Sequence, residues 1–100
     1  MAWATEGPKS LPAASVTLAD TGTLSLGLFD FTVIIAATHS AALEFAHRNA
    51  LNTADLHVQD IYVDVGTQAF RAGITLAVNE RLVVRCKTAV DGDIQASIVS

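Results

Sequence analysis

Arg81-Leu82-Val83-Val84-Arg85-Cys86-Lys87 is the stretch that decides the fold. Leu82, Val84 and Cys86 fall on one side of an extended chain, and Arg81, Val83, Arg85 and Lys87 on the other, because successive strand side chains point to opposite faces. The stretch is a half-buried strand with a basic outer face. The same period recurs on both sides of it. Asp93-Ile94-Gln95-Ala96-Ser97-Ile98 alternates towards the C-terminus, and Asp91-Gly92 between the two runs is a hairpin signal. Towards the N-terminus, Val78-Asn79-Glu80 reads as a turn. Ala69-Phe70-Arg71 and Ile74-Thr75-Leu76-Ala77-Val78 precede it around Gly73, which the pattern marks as a bend or bulge.

Further back, Leu56 and Val58 have an even apolar phase, whereas Ile61, Val63 and Val65 are odd. One extra residue at Gln59-Asp60, a β-bulge, would restore a common facing. Arg48 to Asp55 is polar and turn-rich. Ala42-Leu43-Glu44-Phe45-Ala46-His47 alternates as a strand, although residues 38–51 could also form a three-turn helix. Asp30-Phe31-Thr32-Val33-Ile34-Ile35-Ala36 begins by alternating and becomes continuously apolar, as a central strand does. Thr23 to Leu28 and Ser15 to Leu18 alternate again, separated by the turn signal Asp20-Thr21-Gly22. Residues 1–12, with Gly7, Pro8 and Pro12, read as an extended arm outside the core. The expectation is an all-β chain: an antiparallel β-sandwich or jelly roll of about seven to eight short strands over residues 13–100, with that arm in front. A helix at 38–51 would instead make the fold α+β and admit an oligomeric hot-dog-like enzyme, by analogy alone.

The chain has 100 residues, one domain's worth, of which 51% are apolar and 16% charged. Mean hydropathy is +0.42. A body of this size buries roughly 60–68% of the surface its unfolded chain exposes. Apolar surface therefore remains once the core is full, which points to a homo-oligomer. The alternative is a dry core under a neutral Ser/Thr/Ala surface. The net charge of −4 argues against a general nucleic-acid binder. No apolar run is long enough to span a membrane, and the N-terminus lacks the pattern of a signal peptide. The lone Cys86 excludes an internal disulfide, and its inward phase makes it a small core hydrophobe.

The chemistry-bearing residues form no motif. His39, His47 and His57 lack metal-ligand spacing, although a hairpin could bring His47 and His57 together; no metal or cofactor is expected. Asp60, Tyr62 and Asp64 share an outward face that reads as solvated. Asp91-Gly92-Asp93 is a turn before it is a cation site. No nucleophile elbow and no phosphate loop occur. Arg81, Arg85 and Lys87 form a clustered basic face and, with Arg48 and Arg71, supply five of the six basic residues. Across a subunit boundary that face could meet an acidic face at Asp60 and Asp64, steering association and fixing register. The competing expectation is a solvated strand face that discourages edge aggregation. Trp3 is costly to leave in water, so it is expected to dock on its own body or on a neighbouring copy.

Phe29 to Val99, about 70% of the chain, resembles the small β-sandwich structural proteins of tailed bacteriophage virions, of the decoration or cement type, and related fibre-base modules. The residues that carry the likeness are Phe31-Thr32-Val33-Ile34-Ile35, Phe45-Ala46-His47-Arg48-Asn49-Ala50, Leu76 to Val84 with its Asn79-Glu80-Arg81-Leu82, and Gly92 to Ile98. The resemblance implies a non-enzymatic protein of the virion, assembled in the host cytoplasm. It would bind a major capsid or other virion protein and reinforce the assembled surface, usually as a trimer. Trp3, Pro8 and Pro12 on the arm, Arg81, Arg85 and Lys87, and Asp60 and Asp64 are the expected interface residues. A carbohydrate- or receptor-binding β-sandwich module is the alternative function.

Overall fold

The computed structural model describes residues 2–5, by their backbone, and residues 8–99. The alternating runs form nine strands among these residues and no helix: β1 (Ala2–Thr5), β2 (Lys9–Ser10), β3 (Thr17–Asp20), β4 (Gly27–Ala37), β5 (Ala41–Arg48), β6 (Asp55–Val63), β7 (Gly66–Leu76), β8 (Arg81–Cys86) and β9 (Asp93–Val99). All pairing is antiparallel. One sheet has the order β1-β9-β4-β7, with β2 also on β9; the other has the order β3-β8-β5-β6.

This order is a jelly roll. The pairs β5·β6, β4·β7, β3·β8 and β1/β2·β9 are nested, like one long hairpin folded at the β5–β6 loop. Rolling that hairpin up brings β4 against β9 and β5 against β8, which seals each sheet. The apolar phase of every long strand then points between the two sheets. Leu18, Ile35, Leu43, Leu76, Leu82, Ile94 and Ile98 are fully buried there. Phe31 of β4 and Phe45 of β5 meet across the layer at 5.2 Å between ring centroids. Cys86 is buried among them, as its phase requires.

Residues 41–48 are strand β5, as the alternation of 42–47 predicts, so the helix that the hot-dog-like alternative required is absent. The structure corrects the sequence expectations at four places. Residues 23–26 are not strand; β4 starts at Gly27 and runs unbroken to Ala37. No bulge lies at Gln59-Asp60. The β5–β6 register is continuous from Ala41↔Val63 to His47↔His57, and the shift comes at Arg48. Val58 therefore stays on the outer face, 37% exposed, and Leu56, skipped at the shift, is 54% exposed, while Ile61 and Val63 face the core. Gly73 is neither bend nor bulge, since β7 pairs with β4 without interruption from Gly66 to Leu76. Asp91-Gly92 joins no hairpin: β8 and β9 belong to different sheets, and the turn is a crossing between them.

Long-range bonds hold that crossing in place. Thr38 Oγ1 accepts from Asp93 N at 2.9 Å, and Thr38 N donates to Asp93 O at 3.0 Å. Val90 N donates to Pro12 O at 2.9 Å, and Leu11 N to Gly92 O at 3.0 Å. The N-terminal arm is extended, but it is not loose from the body: β1 and β2 extend the first sheet beside β9, and Pro12 is buried.

Candidate interaction surfaces

The two outer faces differ in chemistry. On the second sheet, outward residues of β5, β6 and β8 interleave acids with bases, so register alone places opposite charges side by side. Glu44 lies across from Arg85 on one side and Asp60 on the other. Arg85 Nε donates to Glu44 Oε1 at 3.2 Å, and its two terminal nitrogens form a fork on Asp55 at 3.1 and 2.6 Å. Arg48 adds a second guanidinium to Asp55 at 2.7 Å. The Asp55 side chain is 27% exposed. The hydrogen bonds from Arg85, then Arg48, hold its carboxyl at about 2, and the same contacts raise Arg85 above its ordinary value.

The β5–β6 loop is shaped to present this cluster. Asn49 Oδ1 accepts from Thr53 N and Ala54 N at 2.8 and 3.2 Å. Asn52, at a positive φ of 55°, receives Arg48 on both its side-chain and backbone oxygens. The groove beside the cluster, about 340 Å³, is lined by Ser15, Thr17, Asp20, Glu44, Arg48 and Arg85, and each of its charges is already paired: Glu44 with Arg85, Arg48 with Asp55 and Asp20 with Arg81.

The basic face expected at 81–87 is thus paired within one chain. Arg81 Nη1 reaches Asp20 at 3.2 Å, although its Nε is buried without a partner. Lys87 Nζ meets Asp60 at 2.6 Å and lies 5.8 Å from the centroid of the exposed Tyr62 ring. The bond to Asp60 raises the Lys87 ammonium above its usual value. Asp60 and Lys87, expected to meet between copies, meet here because β6 and β8 flank β5 in the same sheet. Asp64 lies just past the end of β6 and is exposed. It sits in the β6–β7 turn, where its Oδ1 accepts from Val65 N at 3.1 Å.

The histidines are dispersed over the fold. His47 and His57 are register partners, as a hairpin allows, but His47 Nε2 is taken by Glu80 Oε1 at 2.8 Å. Glu80 also accepts from Ala77 N at 2.7 Å, and these two bonds, the backbone one foremost, lower its pKa. His39 lies at the β4–β5 corner beside Thr38. Among the described residues no group of three His, Cys, Asp or Glu could hold a metal. Pro8 is exposed at the edge of a groove of about 260 Å³ with Ala36, Thr38, Thr67 and Asp93. The Trp3 side chain lies outside the described residues.

The first sheet's outer face has little charge. Thr32, Ile34 and Ala36 of β4 alternate outward beside Thr67, Ala69, Gly73 and Thr75 of β7 and Gln95 and Ser97 of β9. Its charged residues on β4 and β7 are Asp30 and Arg71, which sequence reasoning did not connect. Asp30 lies opposite Gly73, and its Oδ1 would stand 3.2 Å from a Cβ built there. The glycine is open space for a carboxylate, and a lone Gly in a strand was the one sequence signal for it. On this side the sandwich is also unclosed. Phe70, Ala72 and Ile74 of β7 are half-buried, and a small cavity of about 70 Å³ opens between Phe31, Phe45, Ile61 and Phe70. No protein-family model matches this chain, and no curated protein matches it either.

Proposed function

We propose that this chain is a non-enzymatic structural protein of the capsid decoration or cement type, which binds and reinforces an assembled virion surface as a symmetric homo-oligomer. The observation that carries the proposal is the division of the surface. The second sheet's outer face uses its charges on itself, while the first sheet offers a flat, nearly neutral face of Thr, Ala, Ser and Ile34. Away from Asp30 and Arg71, such a face covers another protein without stripping water from unpaired charges. Jelly rolls occur among viral capsid domains and lectins alike, so the fold supports the proposal by analogy. Each copy binds weakly, and symmetric copies on a repeating lattice make attachment persistent. A sugar-binding module would set aromatics out for stacking, and of the candidates on β4, β6 and β7 Tyr62 is exposed whereas Phe29 and Phe70 are half-buried on the inward phase.

The test is co-sedimentation with tailed-phage shells from the chain's own source, stripped of this protein, beside unassembled capsid subunits. The expected result is saturable binding to shells only, with a raised shell disruption temperature. Failure to bind shells, or selective retention on a glycan array, would overturn it.

A further inference from the structure

We infer that β7 is a self-complementary edge: two copies of this chain join antiparallel along it, about a two-fold axis at Ala72, to make one continuous sheet. The inference deepens the oligomeric part of the function proposed above. The four sheet edges are not alike. β1 and β3 each carry a register shift, and β6 carries the ion-paired Asp55 and Asp60 with a shift at its first residue. Shifts and charges are the devices that blunt an edge against pairing. β7 runs eleven residues in unbroken register, with Arg71 as its one charged residue.

That charge and its neighbour fix the register. Among the described residues neither Asp30 nor Arg71 has an ion-pair partner. The Asp30 carboxylate leans over Gly73, which has no side chain to screen it, towards the free side of β7. Both residues border a shallow depression on the outer face, with Gly73 between them. An incoming strand with a base opposite Gly73 would place that base in the same cross-strand row as Asp30. The two residues lie about 10 Å apart along that row, two inter-strand spacings, within the joint reach of Arg and Asp side chains.

The second copy supplies the base itself. If Arg71 of one chain faces Gly73 of the other, the two-fold falls on Ala72, and two Asp30–Arg71 pairs form, one on each side. Pairing centred on Arg71 would set like charges opposite each other and is disfavoured. The Ala72 register also sets Phe70 against Ile74 on the inner side, which covers two side chains that are half-buried in the single chain. A two-fold contact of this kind is isologous and closes. It gives a dimer instead of the trimer that the resemblance implies.

Disulfide trapping and charge reversal test this together. In the register centred on Ala72, residue 72 faces its own mate at a Cα separation of about 4.5–5.5 Å, inside the range for a disulfide. Ala72→Cys should form a covalent dimer under mild oxidation, while Thr75→Cys, which faces Ala69, should not. Asp30→Arg and Arg71→Asp should each weaken dimerisation at least tenfold by sedimentation velocity, and the double variant should restore it. Circular dichroism of each variant shows whether it is folded. Folded single variants that dimerise like the parent chain would overturn the inference. So would a trimer without cross-linking at residue 72, which would leave the oligomeric structural role standing. A protein monomeric at all concentrations that still binds shells would also overturn the edge pairing alone.

Discussion

Gly92 shows how much one residue's missing side chain can decide. A Cβ there would fall on the His39 ring and on Thr38 Oγ1. His39 can rotate away, but Thr38 cannot without losing its bond from Asp93 N. Gly92→Ala is expected to cost about 1–3 kcal/mol, read as a lower urea midpoint at unchanged slope. Asp55 acts through charge instead. Its pKa is lowered in the folded state from 3.8 to about 2, so its contribution is fully present above about pH 4 and is lost as pH falls through about 2. Partial exposure limits that contribution to about 1 kcal/mol. The stability gap between the parent chain and Asp55→Asn should therefore close between pH 4 and pH 2 in denaturant titrations. Arg85, Lys87, Asp60 and Arg81 were legible as charged strand positions. Their partners were not, because a pairing such as Lys87 with Asp60 depends on which strand lies beside which, and no local pattern contains that.

At the scale of the element, period-two alternation identified most strands, and it failed where a strand's phase and its burial part company. Leu56 and Val58 have the apolar identity of core residues, yet the continuous β5–β6 register holds Val58 outside, and Leu56, skipped where the register shifts, is exposed beside it. Postulating a bulge to hide them put packing ahead of backbone pairing, and here pairing wins. The distinction is measurable. Leu56→Ser should change stability by no more than about 0.5 kcal/mol, whereas Ile61→Ala, at 8% exposure, should cost about 2–5 kcal/mol. Equal costs would mean that Leu56 is buried after all. Asp91-Gly92 failed for a related reason: the dipeptide encodes a tight turn, and whether the flanking strands then pair or part into different sheets is set by the nested pairing of the whole chain.

At the scale of the molecule, the rolled hairpin makes the N-terminal residues part of the sandwich. Removing residues 1–12 would uncover β9 and take away Pro12 and its bond to Val90. The truncated chain should melt at a lower temperature and aggregate on warming, seen by light scattering, because a bare inner strand becomes an open edge. Loss of shell binding in that variant would therefore report the fold as much as any anchoring by the arm. Cys86 offers a view of global opening from the opposite side of the core. It is fully buried, and burial raises its thiol pKa. Its labelling by a thiol reagent should follow unfolding of the whole domain, with a rate that rises with denaturant as the folded fraction falls.

The large exposed apolar side chains are spread over the loops and β6, with Leu28 on the first sheet, so what sets the sheet that ends in β7 apart is a nearly neutral outer face and an unblunted free edge. Whether copies of the chain meet there is read most directly from solution mass, by light scattering during size-exclusion chromatography across micromolar concentrations. Pairing along β7 predicts a species of twice the 10.5 kDa chain mass that dissociates on dilution. A constant mass of one chain, or of three, would contradict it.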